Sequence, residues 1–183
     1  TSGAPCAVSG SDAARANHGA AYVALARAAR RELLLATPYF LPDRRLREAL
    51  IDAARRAVRV MVVVPRDSDL TWFTHGSRRR YQSLLAAGVE IWERCDRMVH
   101  AKVGVADGMV AAIGSTNLNR LSFNRNSETL LLTGHPPVVD GVRSMIVDES
   151  ARTAERLRSH SWPTHPDRRR LAELASAPME LIF

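Results

Sequence analysis

The segment from Arg59 to Val64, RVMVVV, constrains the fold of this 183-residue chain more than any other. Its β-branched residues favour a buried strand, and Pro65 closes it. Segments with helical spacing precede and follow it, each about ten residues long. This alternation predicts an α/β domain in which helices cover both faces of a mixed, largely parallel sheet, because each crossover helix must pack on the sheet.

Turn and cap residues divide the rest of the chain into elements. Residues 1–12 are rich in Gly, Ser and Pro and are expected to form an entry loop. Asp43 is the expected N-cap of a helix, and Gly88 is the expected C-cap of the helix through Tyr81. The other predicted helices are Ala20 to Arg30 and Val138 to Arg158, and the other predicted strands are Leu33 to Thr37, Val89 to Trp92, Val99 to Ala106, Val110 to Ile113 and Ser127 to Thr133.

Length and hydropathy favour a single domain over residues 1–183, since the chain is too short for two domains of ordinary size. No apolar run approaches the roughly 20 residues of a membrane-spanning helix. Cys6 and Cys95 are far apart and have no metal-type spacing, which favours two free thiols in a reducing compartment. We therefore expect a cytoplasmic protein, or one that is peripheral at the cytoplasmic membrane.

The charge balance points to polyanionic partners. The formal net charge is +7, which favours nucleic acid or an anionic lipid surface without choosing between them. Of the 26 basic residues 25 are arginine, and the single lysine is Lys102. A compact ammonium is not equivalent to a planar guanidinium, so this lysine is a candidate for a crowded phosphate site.

Residues 100–117, HAKVGVADGMVAAIGSTN, hold the candidate chemistry. On a strand, His100 and Lys102 would project from the same face. A hairpin turn at Asp107-Gly108 would return the chain so that Ser115 and Asn117 arrive near the same end. Gly114 would allow close backbone approach there.

An imidazole, an ammonium, a hydroxyl and an amide together suit a phosphodiester. The imidazole of His100 can attack phosphorus, while Lys102, Ser115 and Asn117 stabilise charge on the non-bridging oxygens. No nearby group of carboxylates and histidines would hold catalytic zinc or magnesium, so we expect neither a metal nor another cofactor. A neutral nucleophilic histidine cannot also protonate the leaving alkoxide, so a second histidine is required.

The pattern H-x-K-x4-D-x6-G-S-x-N resembles the HKD motif of the phospholipase D superfamily, with all six fixed positions at unbroken spacing. By this resemblance Glu128, in Asn126-Ser127-Glu128, orients His100, while Asp107 and Gly114 are structural. The segments TPYFLPDRRLREALIDAARRAVRVMVVVP and LLAAGVEIWE resemble bacterial cardiolipin synthases, and VSGSD resembles the entry to their second repeat.

The resemblance implies metal-independent phosphatidyl transfer or hydrolysis on an anionic phospholipid through a phosphohistidine. The family joins two motifs, and this sequence carries one, so it predicts a second HKD motif from an N-terminal half or from a homodimer. One alternative is a homodimeric endonuclease of the same superfamily that acts on DNA or RNA. A second alternative is a non-catalytic half that binds phosphate.

Two further segments are candidates for substrate contact. Tyr39 and Phe40 follow a strand end, where α/β proteins gather their site loops, and either shape a pocket or pack at the strand end. Trp72 and Phe73 precede an arginine run. They either form a lip that touches an anionic membrane or pack inside an ordinary helix lead-in.

Overall fold

The computed structural model describes residues 6–9, 12–67, 80–124 and 128–158. The strands are β1 Cys6–Ser9, β2 Glu32–Ala36, β3 Arg59–Pro65, β4 Glu90–Arg94, β5 Val103–Ala106, β6 Val110–Gly114, β7 Thr129–Thr133 and β8 Ala154–Arg156. The helices are α1 Asp12–Ala28, α2 Arg44–Arg55, α3 at residues 80–86, α4 Arg120–Asn124 and α5 Pro136–Thr153.

The described strands form one sheet in the order β1-β7-β6-β5-β2-β3-β4-β8. The mixed α/β class is confirmed, but the sheet is less parallel than the sequence suggested. Only β2–β3 and β3–β4 pair in parallel, and the other five pairings are antiparallel. The reason lies in the connections: β5 and β6 are joined by a tight turn, which permits only antiparallel pairing.

Alternating residues of the central strands supply two cores. Leu33 and Leu35 of β2 face a core shared with α1, α2 and α3. Leu34 and Ala36 face a second core that includes Val139 and Ile146 of α5. Helices therefore cover both faces, as predicted. The apolar run from Val60 to Val64 of β3 is explained because each face of the sheet is buried.

The predicted caps and turn are confirmed. Asp43 accepts a hydrogen bond from the Leu46 N–H at 2.8 Å, as an N-cap does. Gly88 ends the α3 segment with a φ of +94°. The residues of the Asp107-Gly108 turn have φ values of +55° and +65°, which the hairpin turn requires at both central positions.

Three boundaries differ from the predictions. Residues 1–12 were expected to form a loop, but Cys6–Ser9 is an edge strand that pairs with β7, and α1 already begins at Asp12. The closing helix ends at Thr153, and the chain then adds β8 beside β4. Both short strands depend on partners far away in sequence, so local composition does not reveal them.

The predicted strand Val99 to Ala106 begins only at Val103. Its pairing with β2 ends at Val103 and Ala36, because β2 leaves the sheet before Pro38. His100 and Lys102 therefore precede the strand instead of projecting from it. The Gly114 N–H still donates to the Lys102 carbonyl at 3.1 Å, which keeps Lys102 beside the end of β6.

Candidate active site

One edge of the sheet gathers most of the predicted catalytic residues, and we call it the site edge. Val103 of β5 pairs with Ile113 of β6, and Gly114 pairs with Leu130 of β7. The residues just outside these three adjacent strands, Lys102, Ser115 and Glu128, therefore lie at the same edge. The convergence that the hairpin predicted is thus present for this part of the motif.

His100 and Lys102 are in contact. The Lys102 ammonium lies 3.5 Å from both ring nitrogens of His100 and donates to the His100 carbonyl at 2.8 Å. His100 is exposed, whereas Lys102 is partly buried. Burial lowers the pKa of Lys102, and the negative charge of Glu128 opposes that shift. An accessible imidazole next to an ammonium can attack an anionic group while the cation balances its charge.

Ser115 connects the end of β6 to Glu128. Its hydroxyl donates to Glu128 Oε2 at 2.5 Å and accepts from the Thr129 N–H at 3.0 Å. Glu128 is 9% exposed, so its carboxylate is held below the surface. A serine hydroxyl has one proton to donate, so Ser115 could serve a phosphate oxygen only if that proton left Glu128. That role for Ser115, and the orientation of His100 by Glu128, stay predictions.

Gly114 allows the backbones of β6 and β7 to meet at this edge. A Cβ on Gly114 would lie 2.0 Å from the Thr129 carbonyl oxygen, a backbone atom that cannot move aside cheaply. The neighbouring Ser115 N–H donates to the same oxygen at 3.0 Å. The lack of a side chain at Gly114 thus holds Ser115 next to β7, in agreement with the predicted structural role of this glycine.

Asn117 follows in the loop after β6. Its Oδ1 atom is buried and has no hydrogen-bond partner among the described residues. Thr37, which the sequence analysis did not single out, helps to hold this loop, because its hydroxyl accepts from the Leu118 N–H at 3.5 Å. Thr37 is fully buried at the end of β2. No pattern in the sequence marks this contact, since the two residues are 81 positions apart.

Asp107 lies at the opposite end of the hairpin. Its carboxylate accepts from the N–H groups of Arg30, Arg31 and Glu32 at 2.7 to 3.1 Å. Partial burial would raise the pKa of Asp107, but these backbone hydrogen bonds and the charge of Arg31 hold the pKa below its usual value. The contacts tie the turn to the start of β2, which supports a structural role.

The candidates for substrate contact differ in how deeply the structure buries them. Phe40 is 1% exposed and packs in the core, with its ring centroid 6.0 Å from that of Tyr81. It is therefore a packing residue, and the expected pocket role for it is corrected. Tyr39 is half-buried at the same strand end, and its role stays a prediction. Trp72 and Phe73 lie outside the described residues.

The described part of the chain has neither a cluster of metal ligands nor a membrane-spanning helix. It contains no group of three or more His, Cys, Asp or Glu side chains placed to hold a metal ion. Among the described helices, none combines the length and apolarity that a membrane span needs.

Residues 22–150 match the family model described as cardiolipin synthase, PLD-like domain. Cardiolipin synthase A of Serratia proteamaculans is 34% identical over 148 residues, which are 79% of this chain and 30% of that protein. Cardiolipin synthase B of Salmonella typhi is 33% identical over 138 residues, 73% of this chain and 33% of that protein.

The chain belongs to the cardiolipin synthase family of phospholipase D-like domains. It spans about a third of the length of the curated relatives that it matches. The resemblance inferred from the HKD motif is thereby confirmed, and the family match contains the whole motif.

Solved structures of the superfamily share the fold. Nuc from Salmonella typhimurium, a phospholipase D family member, matches with a TM-score of 0.71 at 18% identity and covers 85% of this chain and 99% of its own. The phosphatidylserine synthase of Haemophilus influenzae matches with a TM-score of 0.73 at 15% identity, over 97% of this chain and 46% of its own. At these identities the likeness concerns the fold alone.

Proposed function

We propose that this chain supplies one half of a metal-independent phosphodiester-transfer site that acts on anionic phospholipids, as a phosphatidyltransferase or phospholipase of the cardiolipin synthase type. The observation that carries the proposal is the site edge. There an exposed imidazole with an adjacent ammonium and the Ser115–Glu128 pair lie within the region that the family model matches.

His100 is the proposed nucleophile. A neutral ring nitrogen attacks phosphorus, an N–P bond forms, and the P–O bond to the leaving alcohol breaks. Lys102 stabilises the charge that grows on the non-bridging oxygens, and Asn117 is proposed to add an amide donor. Glu128 is proposed to stabilise the imidazolium that forms, as a carboxylate beside a catalytic histidine does.

A second HKD motif completes this reaction. The leaving alkoxide needs a proton, which a second histidine supplies. The same histidine then takes the proton from an acceptor alcohol or from water, and that oxygen breaks the N–P bond and regenerates His100. Because this sequence contains one such motif, the second comes from another part of the protein or from a second copy of the chain.

The proposed substrate is lipid because the curated relatives are cardiolipin synthases. The proposed location is accordingly the cytoplasm or the surface of the cytoplasmic membrane. The alternative is a homodimeric nuclease, because the net charge of +7 suits nucleic acid as well as an anionic lipid surface. A DNA backbone and a phospholipid headgroup are both phosphodiesters, so the same His100 chemistry serves either. The remaining alternative is a half that binds phosphate without turnover.

The deciding experiment combines solution mass, turnover and trapping. The purified chain is sized by light scattering and assayed in EDTA on phosphatidylglycerol vesicles and on single-stranded DNA. Samples are quenched and digested under alkaline conditions, in which the N–P bond survives. They are searched by mass spectrometry for a His100 peptide that carries the transferred phosphatidyl group, intact or deacylated, or a nucleotidyl group. His135→Ala is the matched control, because His135 is an exposed histidine at the start of α5 without a side-chain capping bond.

We expect a dimer that cleaves the lipid, a modified His100 peptide, and loss of both in His100→Ala but not in His135→Ala. Turnover of DNA without turnover of lipid would select the nuclease. A monomer that is inert on both substrates would mean that this chain is half an enzyme and that the second motif lies in another part of the protein. Turnover that survives His100→Ala would overturn the His100 mechanism for lipid and nucleic-acid substrates alike.

A further inference from the structure

A cavity of about 370 Å³ opens at the start of α2 and is strongly basic. We call it the arginine pocket. Its lining comes from three separate segments of the chain and comprises Leu41, Pro42, Asp43, Arg44, Arg45, Arg80 and Arg120. Four cations and one carboxylate thus share a small volume.

The arginine pocket adjoins the loop that carries Asn117. Leu41 forms a parallel bridge with Asn119, and the Leu41 N–H donates to the Leu118 carbonyl at 3.0 Å. Arg120 follows Asn117 by three residues, so their Cα atoms are at most about 11 Å apart, given ~3.6 Å per extended residue. The segment after β6 thus carries both a residue of the motif, Asn117, and a residue that lines this pocket, Arg120.

Several arginines elsewhere in the described chain are paired with carboxylates. Arg143 binds Glu32 at 2.6 Å, and Arg94 binds Asp96 at 2.7 Å. In the pocket, Arg44 has such a partner, Glu48 at 2.8 Å. None of the described residues forms an ion pair with the side chain of Arg45 or of Arg120.

The single lining carboxylate does not cancel this charge. Asp43 already accepts from the Leu46 N–H as the N-cap of α2. The first turn of this 12-residue helix adds further N–H donors and the positive end of its dipole to the same place. Guanidinium forks and a helix start together favour an oxyanion, such as phosphate, over a neutral sugar.

We propose that the arginine pocket binds the phosphate group of a second anionic glycerophospholipid, while His100 attacks the phosphate of the first. The inference rests on the proposed lipid function and adds the site of the other substrate. Transfer between two such lipids brings two phosphodiesters close together, and their repulsion must be offset. Lys102 is the only lysine of the chain, so the second phosphate requires cations from elsewhere, and Arg45 and Arg120 provide them.

The test separates this pocket from the catalytic groups. All variants carry His100→Ala and Lys102→Gln, which weakens phosphate binding at the site edge. In that background Arg45→Gln/Arg120→Gln is compared with Arg30→Gln/Arg55→Gln. The control removes the same two charges from exposed side chains that do not line the pocket. Inorganic phosphate is titrated by NMR at constant ionic strength, and binding to phosphatidylglycerol and phosphatidylcholine vesicles is measured by co-sedimentation.

We expect the background protein to bind phosphate, and Arg45→Gln/Arg120→Gln to raise the Kd by about tenfold or more, the order expected when charged donors are lost. Binding to phosphatidylglycerol vesicles should fall in parallel, with the control pair close to the background. Equal losses in the two pairs would mean a diffuse charge effect and overturn the proposal, as would phosphate binding that neither pair changes.

The two remaining results concern the source of the phosphate. Loss of phosphate binding with unchanged vesicle binding would overturn the lipid assignment and leave a site for a soluble phosphate. Loss of binding to a single-stranded oligonucleotide, with vesicles unaffected, would overturn it in favour of nucleic acid. None of these readouts requires turnover, so failure of the His100 mechanism in the trapping experiment is seen separately from failure of this pocket.

Discussion

The β5–β6 hairpin presents a charged group at each end, and the two groups are held differently. At the site edge, the Lys102 ammonium contacts the ring and the carbonyl of His100, and burial depresses its pKa. At the turn, the Asp107 carboxylate is held by three backbone N–H groups, which stabilise its charged form. The four residues of β5 lie between Lys102 and Asp107, so the Cα atoms of these two residues are about 17 Å apart along the strand, at ~3.3 Å per residue step.

The difference shows that one compact motif serves two purposes. A carboxylate whose lone pairs are already occupied by backbone donors has little capacity left for proton transfer. The imidazole of His100 is exposed, and burial disfavours the charge of the Lys102 ammonium beside it. An anion that binds there would therefore stabilise that charge. We therefore expect substitutions at the site edge to alter turnover, and those at the turn to alter stability.

His100→Ala should have the largest effect. Removing a covalent nucleophile leaves only binding and electrostatic stabilisation, so phosphodiester turnover should fall by about 10⁴-fold or more. The free energy of unfolding should change by less than about 0.5 kcal/mol, since His100 is exposed. Initial rates on phosphatidylglycerol and urea denaturation measure the two effects. A His100→Ala variant that unfolds easily but retains turnover would show that His100 serves stability and not catalysis.

Lys102→Arg should come next, with turnover reduced about 10² to 10³-fold, the range for losing one positioned donor. The charge is kept, but a planar fork does not fit where a compact ammonium contacts His100. Burial lowers the pKa of Lys102. As the pH rises, the activity of the parent protein should therefore begin to decline at a pH below the ordinary lysine pKa of about 10.4.

The pH profile is the sharper measurement for Lys102. The arginine variant stays protonated throughout, so this alkaline decline should be absent from its residual activity. An identical alkaline decline in both proteins would show that another group titrates there. The alkaline decline would then give no support for a role of the lysine charge at the site edge.

The sequence predicted those features that depend on neighbours along the chain. The Asp43 cap, the Gly88 helix end and the Asp107-Gly108 turn are each encoded within a few residues. The edge strand Cys6–Ser9 was missed because its pairing with β7 is a long-range contact, and so was β8 beside β4.

The same distinction applies to the site. Motif spacing placed Lys102 and Ser115 at one edge, because both adjoin one hairpin. It placed His100 and Lys102 on a strand, which was wrong, since the end of β2 decides where β5 begins. The hydrogen bond from Ser115 to Glu128 could not be predicted, nor could the cavity that both Arg45 and Arg120 line, because each depends on how separate segments pack.

Gly114→Ala should disturb both stability and turnover. The new Cβ would lie 2.0 Å from the Thr129 carbonyl oxygen, so β6 and β7 would have to separate at the site edge. We expect a loss of about 2 to 4 kcal/mol in stability, as for severe overpacking, together with reduced activity. Urea denaturation and initial rates test this. Gly141→Ala is the matched control, because a Cβ there meets nothing within 4 Å.

Asp107→Asn should have the smallest effect and should be confined to stability. Asparagine also tolerates positive φ and keeps one acceptor oxygen, so the cost should be about 1 kcal/mol at neutral pH. The pKa of Asp107 is lowered in the folded state, so its stabilisation is complete above the ordinary value of about 3.9 and is lost as the pH falls through the lowered pKa. The parent and the variant should therefore converge in urea denaturation at acid pH. A variant of unchanged stability that loses turnover would place Asp107 in the chemistry and remove the division between the two ends of the hairpin.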